Sequence, residues 1–144
     1  MNKGYDLIKK YEGCQLKAYL CPAKVPTIGY GNTMYENGNK VKIGDEITQQ
    51  RAEDLLLHIG KYFESEIKKL VKVTLTDNQF GALLSFTYNL GVGNLRVSTL
   101  LKKINANPND PTIKDEFLKW NKAGGKVLAG LTKRRQSESE LYFS

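Results

Sequence analysis

The 144-residue sequence predicts an α+β fold in which a small N-terminal lobe is joined by one long helix to an all-helical lobe. Two changes of pattern lead to this prediction. Residues 1–47 combine a short amphipathic helix with glycine-rich, loosely alternating segments, whereas residues 48–70 carry apolar side chains at helical spacing. Only helical patterns follow over residues 71–144, so we treat 1–144 as one domain with these three parts.

The N-terminal lobe is predicted to begin with a helix and to continue as a hairpin. The helix ends at Glu12–Gly13 and its apolar stripe consists of Leu7, Ile8 and Tyr11. Residues 15–33 predict short antiparallel strands, because apolar and aromatic side chains alternate there among glycines and prolines. After a turn at Asn37–Gly38–Asn39, Val41 and Ile43 predict a third strand.

The helical lobe is predicted from apolar stripes and capping residues. The connecting helix 48–70 has a stripe made of Ala52, Leu55, Leu56, Ile59, Phe63, Ile67 and Leu70. Thr76 and Gln79 form a capping box for a helix over 76–90, which is apolar nearly all round and so predicts the buried centre of the lobe. Further helices are predicted over 98–104, 110–120 and 130–142, with a Gly124–Gly125 loop before the last.

Composition limits the partners and the compartment. The net charge of +7 favours an anionic partner, which could be nucleic acid, acidic lipid or a bacterial cell-wall polymer. Cys14 and Cys21 are separated by roughly 20 Å if the residues between them form a strand, so both thiols are expected to be free. No signal-peptide pattern and no run of about 20 apolar residues is present, so we expect a cytoplasmic origin and no membrane insertion.

Glu12, Cys21 and Thr27 are the candidate catalytic residues. An acid at a helix end is followed by a thiol and a hydroxyl on a glycine-rich hairpin, and this order predicts three proton-handling groups on one face of a cleft. Each also has a structural interpretation: a solvated helix terminus, a small buried apolar side chain and a β-branched strand residue. A free thiol has a pKa of about 8.5, which Lys24 and the basic charge of the chain could lower.

The chain resembles the phage endolysins related to the T-even phage lysozyme, glycoside hydrolase family 24, over essentially its whole length. The matching segments occur in the family order. They are Glu12–Gly13, Thr27-Ile28-Gly29-Tyr30-Gly31, Leu75-Thr76-Asp77-Asn78-Gln79-Phe80, Phe86-Thr87-Tyr88-Asn89-Leu90-Gly91-Val92-Gly93, Ser98-Thr99-Leu100-Leu101, and Ala123-Gly124-Gly125-Lys126-Val127-Leu128 with Gly130-Leu131 and Arg134-Arg135. The resemblance implies a lysozyme-like fold.

The resemblance also implies a role for each candidate residue. Glu12 corresponds to the general acid and Thr27 to the catalytic threonine that holds water. Cys21 stands where most relatives have Asp, although a Cys variant is known in the family. Asn32 replaces the His that commonly follows Gly-Tyr-Gly, which removes an ion pair but leaves the catalytic residues in place.

The predicted substrate-binding residues come from both lobes. Tyr88 and Asn89 resemble a cleft-facing pair on the central helix, and Trp120 resembles a tryptophan near the site. Arg134 is assigned as the cation facing the catalytic Glu, with Arg135 as the alternative. The remaining two predicted sugar contacts are Tyr19 and Tyr30 of the hairpin.

The predicted function is hydrolysis of the β-1,4 bond between N-acetylmuramic acid and N-acetylglucosamine in peptidoglycan, in the lysis of a host cell by a phage or prophage. Hydrolysis with inversion is the expectation from the family, and a holin-type membrane lesion would release the enzyme to the wall. We expect a monomer that needs no cofactor and binds no nucleic acid. One histidine and two separated cysteines predict no metal site.

Three alternatives remain open. Because Cys stands in place of Asp, the chain could be an inactive peptidoglycan-binding module. It could be a lytic transglycosylase, which leaves 1,6-anhydro ends on its products. The Lys133-Arg134-Arg135 run could belong to a nucleic-acid binder, although no DNA-binding motif surrounds it.

Overall fold

The computed structural model describes residues 3–144, and within that range the predicted α+β class is confirmed. The elements in chain order are α1 (Lys3–Glu12), β1 (Gln15–Leu20), β2 (Pro26–Gly29), α2 (Gln49–Leu70), α3 (Asp77–Leu90), α4 (Val92–Val97), α5 (Thr99–Ala106), α6 (Ile113–Leu118), β3 (Lys122–Ala123), β4 (Lys126–Val127) and α7 (Ala129–Tyr142). The chain divides into two compact units, with residues 3–7 and Phe63–Ser144 in unit 1 and Ile8–Tyr62 in unit 2.

Unit 2 contains the predicted helix end and hairpin. α1 ends at Glu12 because Gly13 has a φ of +68° and donates its N–H to the Lys9 carbonyl at 3.1 Å. β1 and β2 then pair antiparallel. The buried apolar side chains of the unit include Ile8, Ile28, Val41, Ala52, Leu55 and Leu56.

The prediction of a third strand at Val41 and Ile43 is wrong. Residues 31–48 form turns joined by isolated bridges, such as the one between Met34 and Lys40. Val41 is buried, as a strand residue would be, but its N–H bonds the Thr33 carbonyl in a loop. Gly38 and Gly44 have φ values of +86° and +102°, so the chain reverses direction too soon for a strand to form.

The long helix predicted from residue 48 is confirmed as α2. Thr48 Oγ1 accepts the Arg51 N–H at 3.1 Å and so caps the first turn. The predicted apolar stripe faces inward, since Ala52, Leu55, Leu56 and Ile67 are fully buried. No helix within residues 3–144 is both long enough and apolar enough to cross a bilayer.

Unit 1 is built around α3, as predicted. Both hydrogen bonds of the Thr76–Gln79 capping box form, and α3 packs mainly against α7. The side chain of Phe86 is completely buried and meets the rings of Phe117 and Trp120 edge-on at 5.8 and 5.7 Å.

Two short helices of unit 1 differ from the sequence prediction. α4 was not predicted, because the glycines around it indicated only the end of α3. α6 begins at Ile113 rather than near residue 110, since Asp110 Oδ1 accepts hydrogen bonds from the N–H and hydroxyl of Thr112 in a turn.

The Gly124–Gly125 loop is a two-residue hairpin turn between β3 and β4, with φ values of +58° and +79°.

The first residues of α1 belong to unit 1. The Tyr5 hydroxyl donates to Glu64 Oε2 at 2.6 Å, and the side chain of Tyr5 is buried. Gly4 lies against the backbone of Gly81 on α3, so closely that there is no room for a Cβ atom at position 4. The first turn of α1 is therefore packed against residues that follow it by about 60 to 80 positions.

Candidate active site

The β1–β2 pairing places three candidate side chains on one face of the hairpin. Tyr19 on β1 is directly opposite Thr27 on β2, so their side chains share a face. Cys21 directly follows β1, and hydrogen bonding with the Thr27 hydroxyl places its thiol beside the same face. The face therefore carries a phenol, a thiol and a hydroxyl.

Cys21 and Thr27 interact at the turn between the strands. Thr27 is 3% exposed and donates its hydroxyl hydrogen to the Val25 carbonyl at 2.9 Å. Hydrogen bonding from the Val25 backbone lowers the pKa of the Cys21 thiol, partial burial opposes the shift, and the Ala23 backbone and the Thr27 hydroxyl add to the lowering. The local hydrogen bonds, rather than the predicted charge of Lys24, stabilise the thiolate.

Glu12 lies close to this hairpin. It is the last residue of α1 and is half-buried. Burial raises the pKa of Tyr19, and the charges of Glu12 and Cys21 raise it further. Both groups are therefore within electrostatic reach of the same phenol, so unit 2 holds Glu12, Cys21 and Thr27 around Tyr19.

The loop after β2 brings a glycine against the Glu12 carboxylate. Ile28 and Asn32 exchange backbone hydrogen bonds of 2.8 and 2.9 Å, which close the Gly29-Tyr30-Gly31 loop. Gly31 has a φ of +79°, and a Cβ atom built there would lie 2.8 Å from Glu12 Oε1. Only glycine fits both the conformation and the space. The sequence alone predicted no separate role for Gly31, although its place in the Gly29-Tyr30-Gly31 loop directly after Thr27-Ile28 was the available signal.

The two tyrosines predicted to contact sugar have different environments. Tyr19 is 36% exposed and can offer its ring to a ligand. Tyr30 is 5% exposed; its hydroxyl accepts a hydrogen bond from Gln49 Nε2 at 3.1 Å and donates to Glu53 Oε1 at 3.4 Å. This burial supports a packing role for Tyr30 in unit 2, and its contact with sugar stays a prediction.

The other predicted substrate residues lie in unit 1. Tyr88 and Asn89 occupy the last turn of α3, and both are half-buried. The ring of Tyr88 meets that of Phe63 edge-on at 5.8 Å. Trp120 follows α6, is half-buried and stacks edge-on against Phe86. All three therefore keep part of their surface open, as a sugar contact requires.

A buried ionic network links α7 to α3. Glu138 is completely buried and receives hydrogen bonds from Ser85 Oγ at 2.6 Å, Arg134 Nε at 3.3 Å and Arg135 Nη2 at 3.1 Å. Arg135 Nε also lies 2.8 Å from Glu138 Oε1. Burial raises the pKa of Glu138, and the guanidinium groups of Arg135 and Arg134 oppose this shift.

The sequence predicted a role for the two arginines but not for Glu138, the acid that binds them. Arg134 is 4% exposed, and its Nη2 donates to the Ser85 carbonyl at 3.1 Å, so it is held within unit 1. Its predicted position facing Glu12 stays a prediction. The three- and four-residue spacings of Glu138 from the arginines place these side chains together on one helix face, and that spacing could have revealed the network.

Both cysteines are free thiols, as predicted. Among residues 3–144, no three His, Cys, Asp or Glu side chains are grouped as metal ligands. The chemistry offered by the described residues of unit 2 is therefore that of a carboxyl group, a thiol of lowered pKa and a buried hydroxyl.

Comparison with known proteins identifies the family. Residues 9–138 match the phage lysozyme family model. The endolysin of Bacillus phage B103 is 45% identical over 143 residues, which cover 98% of this chain and 52% of that protein. The endolysin of Acyrthosiphon pisum secondary endosymbiont phage 1 is 43% identical over 99% of this chain and 96% of its own length. This chain thus spans about half the length of the Bacillus phage relative.

A solved structure gives the same result. The endolysin from Escherichia coli O157:H7 phage FAHEc1 superposes with a TM-score of 0.92 at 38% identity, covering 100% of this chain and 92% of that one. Its overall fold therefore matches the arrangement of helices and hairpins described above. Since the family model spans most of the sequence and relatives align along nearly all of it, the chain belongs to the phage lysozyme family.

Proposed function

We propose that this chain is a muramidase that cleaves the β-1,4 bond between N-acetylmuramic acid and N-acetylglucosamine in peptidoglycan. Membership of the phage lysozyme family and the name endolysin of its relatives support this reaction and a role in host lysis. The observation that carries this proposal is the arrangement in unit 2. The Glu12 carboxylate lies against Gly31, and Glu12 and Cys21 are both close enough to Tyr19 to raise the pKa of its hydroxyl.

The proposed reaction uses one acid and one base. Glu12 in its protonated form gives its proton to the oxygen at C4 of the leaving N-acetylglucosamine as the C1–O bond breaks. Water attacks C1 from the opposite face and passes a proton to the Cys21 thiolate, which gives an inverted product. Solvent then returns Glu12 to its protonated form and takes the proton from the thiol.

Thr27 is the proposed holder of the attacking water. Its hydroxyl hydrogen is directed to the Val25 carbonyl at 2.9 Å, which leaves an oxygen lone pair to accept a hydrogen bond from water. When the Cys21 thiolate forms, the same hydroxyl can donate to sulfur instead. Thr27 can therefore respond to the charge on its neighbour during the reaction.

The glycan strand is the proposed partner, and the enzyme is proposed to act as a monomer without a cofactor. Exposed or half-buried side chains at Tyr19, Tyr88, Asn89 and Trp120 are the proposed sugar contacts. We further propose a cytoplasmic enzyme that reaches the wall through a holin-type lesion. Lysis of expressing cells only after membrane permeabilisation is the expected result, and lysis of intact cells would contradict this route.

Mass spectrometry of products from purified peptidoglycan tests the reaction. A muramidase adds one water at each cleaved bond and leaves a reducing N-acetylmuramic acid. Products lighter by one water would show 1,6-anhydro ends and replace the proposal with a lytic transglycosylase. Binding to peptidoglycan without any cleavage would show an inactive module, the outcome that the Cys in place of Asp makes worth testing.

Glu12→Gln tests the acid. The amide keeps the side-chain size but cannot give the proton, so we expect the turbidity-clearing rate to fall by about 10²–10⁴-fold with an unchanged melting temperature. Glu140→Gln is the matched control, because Glu140 is an exposed glutamate on α7. Wild-type turnover by Glu12→Gln would remove Glu12 from the mechanism.

A further inference from the structure

The side chain of Asn89 has a defined hydrogen-bonding direction that its neighbours impose. Arg135 Nη2 lies 2.9 Å from Asn89 Oδ1. A guanidinium group only donates hydrogen bonds, so the amide atom facing it must be the oxygen. The Nδ2 group of Asn89 is thereby turned away from Arg135 and remains a donor.

Arg135 itself is fixed on several sides. Its Nη2 group has two hydrogens, one directed to Asn89 Oδ1 and the other to Glu138 Oε2 at 3.1 Å. Its Nε group lies 2.8 Å from Glu138 Oε1, and its guanidinium plane stands over the ring of Phe86 at 5.3 Å. The side chains of Arg135 and Glu138 are both 0% exposed, so water does not compete for these contacts.

Glu138 is in turn held from α3. Ser85 lies four residues before Asn89 on that helix, and its hydroxyl donates to Glu138 Oε2 at 2.6 Å. The chain of contacts thus starts on α3, crosses to Glu138 and Arg135 on α7, and returns to Asn89 one turn later. A closed circuit of this kind fixes the amide orientation more firmly than one hydrogen bond would.

We infer that Glu138 and Arg135 are positioning residues that hold the Asn89 carboxamide as a hydrogen-bond donor to an acceptor oxygen of the glycan. Hydroxyl and N-acetyl carbonyl oxygens are the acceptors that such a strand offers. This inference rests on the proposed muramidase function. Asn89 touches substrate, whereas Glu138 and Arg135 act through it.

Asn89→Asp tests the donor. The carboxylate keeps the size of the side chain and its contact with Arg135 but removes the N–H₂ group. We expect kcat/KM on peptidoglycan to fall by about ten- to hundred-fold with an unchanged or raised melting temperature. Wild-type kcat/KM in Asn89→Asp would refute the donor role.

Glu138→Gln and Glu116→Gln form a matched pair for the positioning role. Glu116 is also buried, at 4% exposure, and also binds two cations, Lys103 at 2.8 Å and Lys119 at 2.9 Å. Both substitutions should lower the melting temperature, but only Glu138→Gln should lower kcat/KM, by about tenfold or more, when assayed well below melting. Equal kcat/KM in the two variants would overturn the inference.

A double-mutant cycle shows whether Glu138 acts through Asn89. On an Asn89→Ala background, Glu138→Gln should cause no further fall in kcat/KM, whereas additive losses would show an independent structural effect. If Glu138→Gln does not fold, Arg135→Lys takes its place in the cycle, because lysine keeps the charge but lacks the fork that reaches both partners.

A spectroscopic readout separates this inference from the proposed function. The side-chain ¹⁵N–H₂ resonances of Asn89 should shift or broaden in Glu138→Gln and stay in place in Glu116→Gln. If the wild-type protein cleaves no peptidoglycan, the muramidase proposal fails, and titration with chitooligosaccharide then decides the donor role. Unchanged Asn89 resonances in Glu138→Gln or on addition of sugar would overturn the inference.

Discussion

Gly31→Ala should reduce activity far more than it reduces stability. A Cβ atom at position 31 would lie 2.8 Å from Glu12 Oε1, whereas ordinary contacts begin at 3.4 Å. The Glu12 side chain is flexible, so its carboxylate should retreat by about 0.6 Å rather than force the backbone apart. A misplacement of a catalytic group by about 1 Å can lower the reaction rate about 10²-fold. For the smaller displacement of the Glu12 carboxylate we expect the rate to fall by about tenfold.

The stability effect of the same substitution comes from the backbone alone. Gly31 has a φ of +79°, and a left-handed conformation costs an alanine about 1–2 kcal/mol. Gly38→Ala is the control, since Gly38 has a φ of +86° and nothing within 4 Å of its built Cβ atom. Both variants should lose about 2–4 °C in melting temperature per kcal/mol.

Turbidity clearing of permeabilised cells, normalised to folded protein, gives the rate, and thermal denaturation followed by circular dichroism gives the stability. Equal activity in Gly31→Ala and Gly38→Ala would refute the link between this glycine and the acid. A large loss in both variants would instead make backbone strain the cause.

The other predictions concern Cys21 and one helix cap. In a Cys14→Ser background, the pH profile of Cys21 alkylation should have its midpoint below the value of about 8.5 for a free thiol, and Thr27→Val should move it upward by removing a donor. Because the pKa of Cys21 is lowered by folding, its thiolate stabilises the fold at pH values above the pKa of the unfolded thiol. This contribution is lost as the pH falls through the pKa of the folded thiol. An alkylation midpoint at or above about 8.5 would contradict both expectations. Cys21→Asp should keep or raise activity and move the optimum to lower pH, whereas full activity in Cys21→Ala would leave the thiol with packing alone. Thr76→Ala should lower the free energy of unfolding by about 1 kcal/mol in chemical denaturation without changing kcat/KM, and an unchanged unfolding midpoint would show that the cap contributes nothing.

Local patterns predicted the parts of the fold that local physics determines. α2 follows from apolar periodicity, and α3 follows from its apolar side chains and from the capping box at Thr76, which acts over three residues. The prediction of a third strand was wrong because Val41 is an apolar residue buried in a loop. In the sequence, such a residue looks the same as the inward-facing residue of a strand. The late start of α6 came from a side-chain turn at Asp110 that competes with the helix.

The site was predicted unevenly for the same reason. Glu12, Cys21 and Thr27 are close in sequence, and the pairing of β1 with β2 brings the thiol that follows one strand near the hydroxyl on the other. The contact of Gly31 with Glu12 depends on how a loop folds back on a helix end, which no periodicity records. The partnership of Glu138 with Ser85 spans 53 positions and required the packing of α7 on α3.

The way α1 is shared between the two units bears on the order in which the chain can fold during synthesis. Unit 2 is contiguous, so a ribosome delivers all of it once Tyr62 has emerged. Unit 1 must wait, since Gly4 and Tyr5 meet partners as late as Gly81 and Glu64. We expect the first turn of α1 to stay undocked until α3 has been made, so the ring of Tyr5 stays exposed while the residues between them are synthesised.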